Sequence, residues 1–248
     1  MDRFLDGRLR IAQPLGGYFS GADAVMLAAA CPALPGQSVL ELGCGVGVAL
    51  LCLGRRVPEL QLAGLELQAD YAEIAKANAA ANQLDAQIFC GDLAAMPPDL
   101  RQLSFDHVIA NPPYFLGGTL APDAGRGMAR HEATALDLWI AAGLKRLRPK
   151  GHLTLIQRAD RLAEVLAALH GGGAGAITVL PISARSGREA GRIIVTARKG
   201  ANGPLRLLAP FVMHGNSKHI QDAEDLTAEA RAVLRDGMGL AMRDVKTR

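Results

Sequence analysis

From residue 38 to residue 199 the chain alternates between two hydrophobic rhythms. Short blocks of adjoining apolar residues, the pattern of strands buried on both faces, occur at 38–42, 62–67, 88–90, 105–110, 152–157, 176–180 and 193–197. Between them lie helical stretches: an apolar run after Gly47 that ends near Arg56, an Ala-rich run at 70–81, the spacing Leu136, Ile140, Leu144, Leu147 within 133–148, and 160–169. Pro58 and the Pro149-Lys150-Gly151 tripeptide interrupt this order, and Gly171-Gly172-Gly173 supplies a turn. Strands alternating with helices predict a doubly wound, mostly parallel α/β sheet, with 193–197 as an antiparallel last strand.

The flanks are less regular. An apolar helix is expected at 24–31, a small hairpin or loose chain in the first dozen residues, an added strand within 205–213 and a short helix at 227–234. The Gly- and Pro-rich stretch 116–130 has no period and is expected to be a long loop, of the functional or mobile kind. The expected organisation is an N-terminal lid or extension at 1–36, a catalytic domain at 37–200 and an extension at 201–248 packed on the same domain.

Composition narrows the class. Half of the 248 residues are hydrophobic and 21 % are charged, as in a globular protein able to bury one full core. No stretch is apolar enough for a membrane span, and the start, Met-Asp-Arg-Phe-Leu-Asp, is unlike a signal peptide. Cys31, Cys44, Cys52 and Cys90 lack paired metal-ligand spacing and are expected to be reduced core residues. The histidines, His214 and His219 among them, have no companion ligands, so no metal is expected, and the location expected is cytoplasmic. The net charge of +3 is unevenly spread: residues 1–114 hold 7 Lys/Arg against 12 Asp/Glu, and residues 115–248 hold 20 against 12. An acidic half beside a basic one suits a phosphate-rich substrate, and equally an ordinary solvated surface.

Candidate chemistry sits at the ends of the expected strands. Glu41-Leu-Gly43-Cys-Gly45-Val-Gly47 joins the first strand to its helix, and glycines there let a nucleotide-like ligand approach the backbone. The motif differs from a dinucleotide fingerprint in spacing and in the acid that precedes it. Glu41 can accept from a cationic amino-acid group. Glu66, 23 residues beyond Gly43, can take two ribose hydroxyls, with Leu67 beside it. Asp92 can accept from an adenine amine while Leu93 offers its amide. Taken together these residues resemble the first motifs of class I S-adenosylmethionine-dependent methyltransferases, and the resemblance implies that cofactor and a seven-stranded sheet.

The fourth strand runs into Asn111-Pro112-Pro113-Tyr114. An amine conjugated to a ring or carbonyl is a poor nucleophile until acceptors on its two hydrogens aim its lone pair. The Asn111 side-chain oxygen and the Pro112 carbonyl are candidates for this work, the latter stiffened by consecutive prolines and with no competing donor expected. Tyr114 offers a face for stacking a base, with Pro113 and Phe115 beside it. The tetrapeptide resembles that of N6-adenine methyltransferases of DNA and RNA, and also that of glutamine-N5 methyltransferases of release factors. A non-catalytic RNA-binding module on the same fold is a further reading, which an intact Asn111 and Tyr114 disfavour.

The shortness of the segment before Ser38 disfavours the glutamine enzymes, whose helical domain precedes the cofactor domain, and leaves little room for a DNA target-recognition domain. Gln13, Gly17-Tyr18-Phe19-Ser20 and Asp23-Ala24-Val25-Met26-Leu27-Ala28, with Arg130-x-Glu132, Arg185-x-Gly187-x-Glu189 and Arg192, resemble the valine-tRNA adenine-37 N6-methyltransferase family. That resemblance implies an RNA partner, tRNA first, and suggests Phe19 and Asp23 as a lid over the cofactor; a staple and a helix cap are the alternatives. Gly21-Ala22 lengthens the opening string by one residue, and nothing after Met213 matches. Arg126, Arg130 and Arg188 are the leading substrate contacts, with Arg185, Arg192, Arg198 and Lys199 as further phosphate candidates. Trp139 is expected in the core.

Overall fold

A computed structural model of the chain describes residues 1–14, 20–114, 135–216 and 225–242. The expected sites Phe115, Arg126 and Arg130, the stretch 116–130, Gly17 to Phe19, Glu132 and His219 lie outside the described residues.

Strands β1 (Asp2–Phe4) and β2 (Leu9–Ile11) form an antiparallel hairpin, and Leu9 and Ile11 are fully buried. Helix α1 (Ala22–Ala30) follows. Next come β3 (Ser38–Leu42), α2 (Val48–Arg56), β4 (Gln61–Glu66), α3 (Ala69–Ala81), β5 (Ala86–Cys90), the short α4 (Pro98–Gln102) and β6 (Phe105–Ala110). From residue 135 onward come α5 (Leu136–Arg146), β7 (Leu147–Arg158), α6 (Leu162–Gly171), β8 (Ala174–Arg185) and β9 (Ala190–Lys199). Two short strands, β10 (Arg206–Leu207) and β11 (Phe211–His214), and helix α7 (Ala228–Leu234) complete the described chain.

The main sheet has the order β10-β8-β9-β7-β6-β3-β4-β5, with β11 also beside β8. Strands β3 to β7 run parallel, and β9 is antiparallel to both β7 and β8. The sheet therefore has nine strands, not the seven expected: the segment after Lys199 adds two short parallel strands to the β8 edge.

Alternation along the strands assigns the two faces. Val39, Ile109, Ile156 and Ile194 pack toward α1, α2 and α3, whereas Leu40, Leu42, Val108, Ala110, Leu153 and Leu155 pack toward α4, α5 and α6. Trp139 on α5 is 2 % exposed, as expected of a core residue.

One expected break is absent. The chain passes from α5 straight into β7, and Pro149-Lys150-Gly151 lies within that strand, where Lys150 adopts φ 64° and the pairing with β6 shifts register between Phe105 and His107. The tripeptide expected to separate helix from strand is a bulge inside the strand. A side chain at Gly151 would stand 2.9 Å from the Asp106 carbonyl oxygen, so only glycine allows β6 to approach there. Among the described residues no helix is long and apolar enough to cross a membrane, and no cluster of three metal-ligating side chains occurs.

Candidate active site

The chain builds β3, β4 and β5 outward on one side, then returns to lay β6 against the other side of β3. At that reversal the C-terminal ends of β3 and β6 adjoin, with Leu42 paired to Ala110. Open α/β sheets bind ligands in the crevice beyond such a reversal. The glycine turn leaves from Leu42 and Asn111 follows Ala110, so the two motifs face one crevice.

The glycines of the turn are required by conformation. Gly43, Gly45 and Gly47 have φ of 64°, 55° and 90°, the left-handed region that side chains disfavour. A Cβ on Gly45 would meet nothing within 4 Å, so this part of the turn borders open space. Cys44 points the other way, into the core, where it seats on Gly64 of β4; a Cβ on Gly64 would lie 2.7 Å from its sulfur.

Two buried acids brace the turn. Glu66, 2 % exposed, accepts the Gly45 amide on Oε2 and the Gln68 amide on Oε1, at 2.8 and 2.9 Å. Each oxygen keeps a further lone pair for a hydroxyl donor. Glu41, 3 % exposed, accepts the Leu50 amide in the first turn of α2 at 2.8 Å. It thereby caps a helix whose own N-cap residue is a glycine. Burial pushes the Glu41 pKa well above 4.5; the Leu50 amide opposes this and Glu66 adds to it. Asp92 lies two residues past β5 and accepts the Ala94 amide on Oδ1 at 2.8 Å, an Asx turn that presents Leu93.

Three of the four cysteines match expectation. Cys31, Cys44 and Cys52 are buried, and burial lifts the Cys31 and Cys52 thiols to about 12. Cys90 is the exception: it is exposed, at the end of β5, with its sulfur 3.9 Å from the Leu67 carbonyl. It closes β5, the strand at the margin of the main sheet.

In the Asn-Pro-Pro-Tyr segment, Pro112 is buried and Asn111, Pro113 and Tyr114 are partly exposed. The expectation that no donor competes for the Pro112 carbonyl fails. Gln157, fully buried on β7, directs its amide nitrogen at that oxygen from 3.4 Å, while its own oxygen accepts the Arg158 amide at 2.9 Å. A carbonyl has two lone pairs, so this contact orients the oxygen and leaves one acceptor site. Sequence reasoning passed over Gln157. The available signal was a polar residue inside an otherwise apolar strand, which needs a partner.

Tyr114 also has partners that the sequence did not disclose. Its hydroxyl donates to Asp23 Oδ2 at 2.6 Å, the same oxygen accepts Arg192 Nε at 3.0 Å, and the Arg192 guanidinium carbon stands 4.4 Å from the ring centroid. Asp23 is thus no side-chain cap; that position falls to Gly21, which makes none. Burial opposes the Arg192 charge, but the Asp23 carboxylate outweighs it and holds the guanidinium pKa above its ordinary value.

Other phosphate candidates are similarly engaged. Arg185 binds Asp225 at 2.5 Å, Arg198 donates to the Lys150 carbonyl and Lys199 to the Leu147 carbonyl. Arg188 is exposed in the β8–β9 hairpin. It sits at the same end of the sheet as Tyr114, because Arg192 pairs with Arg158 at the C-terminal end of β7.

Residues 20–171, more than half of the chain, match the model of the methyltransferase small domain family. The chain belongs to this family. A tRNA1(Val) (adenine(37)-N6)-methyltransferase of Porphyromonas gingivalis is 36% identical over 155 residues, 58% of this chain and 60% of the relative, so the match spans less than two thirds of that protein. A protein of the same name from Aeromonas hydrophila is 29% identical over 185 residues, 73% of this chain and 77% of the relative. Among solved structures, a predicted O-methyltransferase of Agrobacterium tumefaciens superposes with a TM-score of 0.70 at 25% identity, over 88% of this chain and 98% of that one. The family's matched region begins at Ser20 and so takes in Asp23, the glycine turn, Glu66, Asp92, the Asn-Pro-Pro-Tyr segment and Gln157.

Proposed function

We propose that this protein transfers a methyl group from S-adenosylmethionine to N6 of an adenine in RNA, with tRNA of the valine adenine-37 type as the first candidate. The observation that carries this reading is the shared crevice: a glycine turn braced by buried acids on β3 and β4, and a rigid Asn-Pro-Pro-Tyr segment at the adjoining end of β6. The names of the relatives from P. gingivalis and A. hydrophila support the substrate.

The residues suit the cofactor. Open space at Gly45 admits a ligand against the backbone, and Glu41 and Glu66 offer acceptors to a cationic amino group and to ribose hydroxyls. Asp92 and Leu93 stand where an adenine edge would be held, with Leu67 beside the ribose. When bound, the cofactor supplies an electrophilic methyl group. The protein's own task is orientation: Asn111 Oδ1 and the Pro112 carbonyl accept the two amine hydrogens, turning the lone pair out of the ring, while Tyr114 and Pro113 support the base. Phe115, Arg126, Arg130 and Arg188 are assigned to the RNA. Residues 37–200 form the catalytic unit on this reading, with 1–36 and 201–248 as additions to it, acting in the cytoplasm.

The test is incubation with unmodified tRNA and methyl-labelled cofactor, followed by nucleoside analysis. Label in N6-methyladenosine supports the proposal. Label in protein alone, when release factor is supplied beside tRNA, would replace it with glutamine methylation.

A further inference from the structure

Tyr114, Asp23 and Arg192 come from three distant parts of the chain: the segment after β6, the first turn of α1 and the third residue of β9. They meet at the crevice end of the sheet through a single oxygen, Asp23 Oδ2, which accepts both the phenol at 2.6 Å and the guanidinium at 3.0 Å. The guanidinium also lies over the phenol ring. The Arg192 and Asp23 side chains are 36% and 30% exposed, so about two thirds of each is withdrawn from water.

We propose that Asp23 and Arg192 are positioning residues that hold the Tyr114 ring in one orientation and cover one of its faces, so that a target adenine can stack only on the other. The inference rests on the proposed adenine methylation and adds to it the reason a residue of α1 belongs to the site. A tyrosine side chain turns about two torsions. A charge-assisted hydrogen bond from its hydroxyl opposes swinging of the ring, and a guanidinium stacked on the π face opposes tilting. Two contacts at different points of one ring leave it a single pose. The base on the far side is then set at a defined height relative to Asn111 Oδ1 and the Pro112 carbonyl, where small displacements cost much rate. Arg192 is in this account a wall of the site and not a phosphate contact, because its charge is matched by Asp23.

The experiment uses the full chain with Tyr114→Phe, Asp23→Asn, Arg192→Lys and the double variant Asp23→Asn/Tyr114→Phe. Cofactor affinity is followed by calorimetry, and kcat and KM on unmodified tRNA by labelled methyl transfer. Tyr114→Phe and Asp23→Asn are each expected to lower kcat about tenfold with cofactor affinity retained, and the double variant to fall no further than either single one. Arg192→Lys keeps the charge but loses the planar stack, and an equal fall in kcat is expected. Full kcat in Arg192→Lys, or losses in the double variant that multiply, would overturn the proposal. A rise in KM alone would assign Arg192 to the phosphates instead.

A second readout does not depend on catalysis. With 3-fluorotyrosine at the three tyrosines, Tyr18, Tyr71 and Tyr114, the fluorine resonance lost in Tyr114→Phe is that of Tyr114. Asp23→Asn and Arg192→Lys should each move or broaden it while thermal melts stay cooperative. An unchanged Tyr114 signal in both variants rejects the holding role even if the enzyme is active. A shifted signal in a protein that methylates no tRNA rejects the proposed function and leaves the holding role standing.

Discussion

The amide of Gly45 donates to Glu66 Oε2 at 2.8 Å, joining the tip of the glycine turn to the end of the neighbouring strand. A carboxylate fixed in this way loses little further freedom when a ribose arrives, which is preorganisation. Glu66→Ala removes both the hydroxyl acceptors and the brace on the turn. A charged hydrogen bond is worth about 1.5–3 kcal/mol, so cofactor affinity should fall about 10- to 100-fold in calorimetry. Retained affinity would place the ribose elsewhere.

Glu41 yields a pH prediction. Its pKa is raised in the folded chain, chiefly by burial, so the folded state keeps a proton that the unfolded chain releases above its ordinary 4.5. Its contribution to stability is therefore lost as pH rises through the window from 4.5 to the raised value. Glu41→Gln keeps an oxygen for the Leu50 amide and has nothing to titrate. The difference in Tm, variant minus parent, should grow as pH rises above 4.5, then shrink in saturating cofactor, whose cationic amino end favours the ionised acid. A difference flat with pH would mean that Glu41 is ionised throughout.

Gln157 and Asn111 should separate from Glu66 in kinetics. Asn111→Ala removes an acceptor used chiefly as the amine reshapes, and kcat is expected to fall about 10²-fold with cofactor affinity nearly unchanged. Gln157→Leu fills a similar volume and frees the Pro112 carbonyl to turn. The lost contact is long, 3.4 Å, and a loss of about 1 kcal/mol, or roughly fivefold in kcat, is expected. Calorimetry showing weaker cofactor binding in either variant would contradict the division of labour.

Gly64 links core packing to the site. A methyl group there would stand 2.7 Å from the Cys44 sulfur and 3.0 Å from Ile88 Cδ1. Overpacking of this kind costs about 1–3 kcal/mol, so Gly64→Ala should lower Tm and, by pushing Cys44, loosen the turn that carries Gly45. Adding Cys44→Ala removes the nearer clash and should restore part of both Tm and cofactor affinity. No restoration would show that the strain enters through Ile88.

How far these relationships could be foreseen depends on their range in the chain. Strand ends are local features, and the blocks ending at Leu42, Leu67 and Ala110 identified the acids Glu41 and Glu66 and the Asn-Pro-Pro-Tyr segment without knowledge of the sheet. The sheet order then explains why they meet: β3 lies between β4 and β6. What could not be read was pairing across distance. Asp23 and Arg192 are 169 positions apart, and their meeting at Tyr114 follows from α1 packing against the same sheet that β9 enters antiparallel. An added strand was expected within 205–213, but not that it would divide into β10 and β11, which backbone pairing with β8 fixes. Pro149-Lys150-Gly151 reads as the break between helix and strand because a bulge uses the same residues, and only the register between β6 and β7 places it inside the strand.

Cys90 gives a direct probe of the crevice. It is the one exposed thiol of the four, and its strand end is paired with Glu66. The thiols of Cys31 and Cys52 are lifted to about 12 by burial and that of Cys44 is also raised, so none of these three presents an accessible thiolate near neutral pH. A disulfide reagent should therefore titrate one thiol rapidly in the native protein and all four in denaturant. A ligand whose ribose lies on Glu66 beside Leu67 and whose base lies against Asp92 and Leu93 would pass beside the Cys90 sulfur, so saturating cofactor should slow the native reaction. Equal rates with and without cofactor, in a protein shown by calorimetry to bind it, would move the base away from the end of β5.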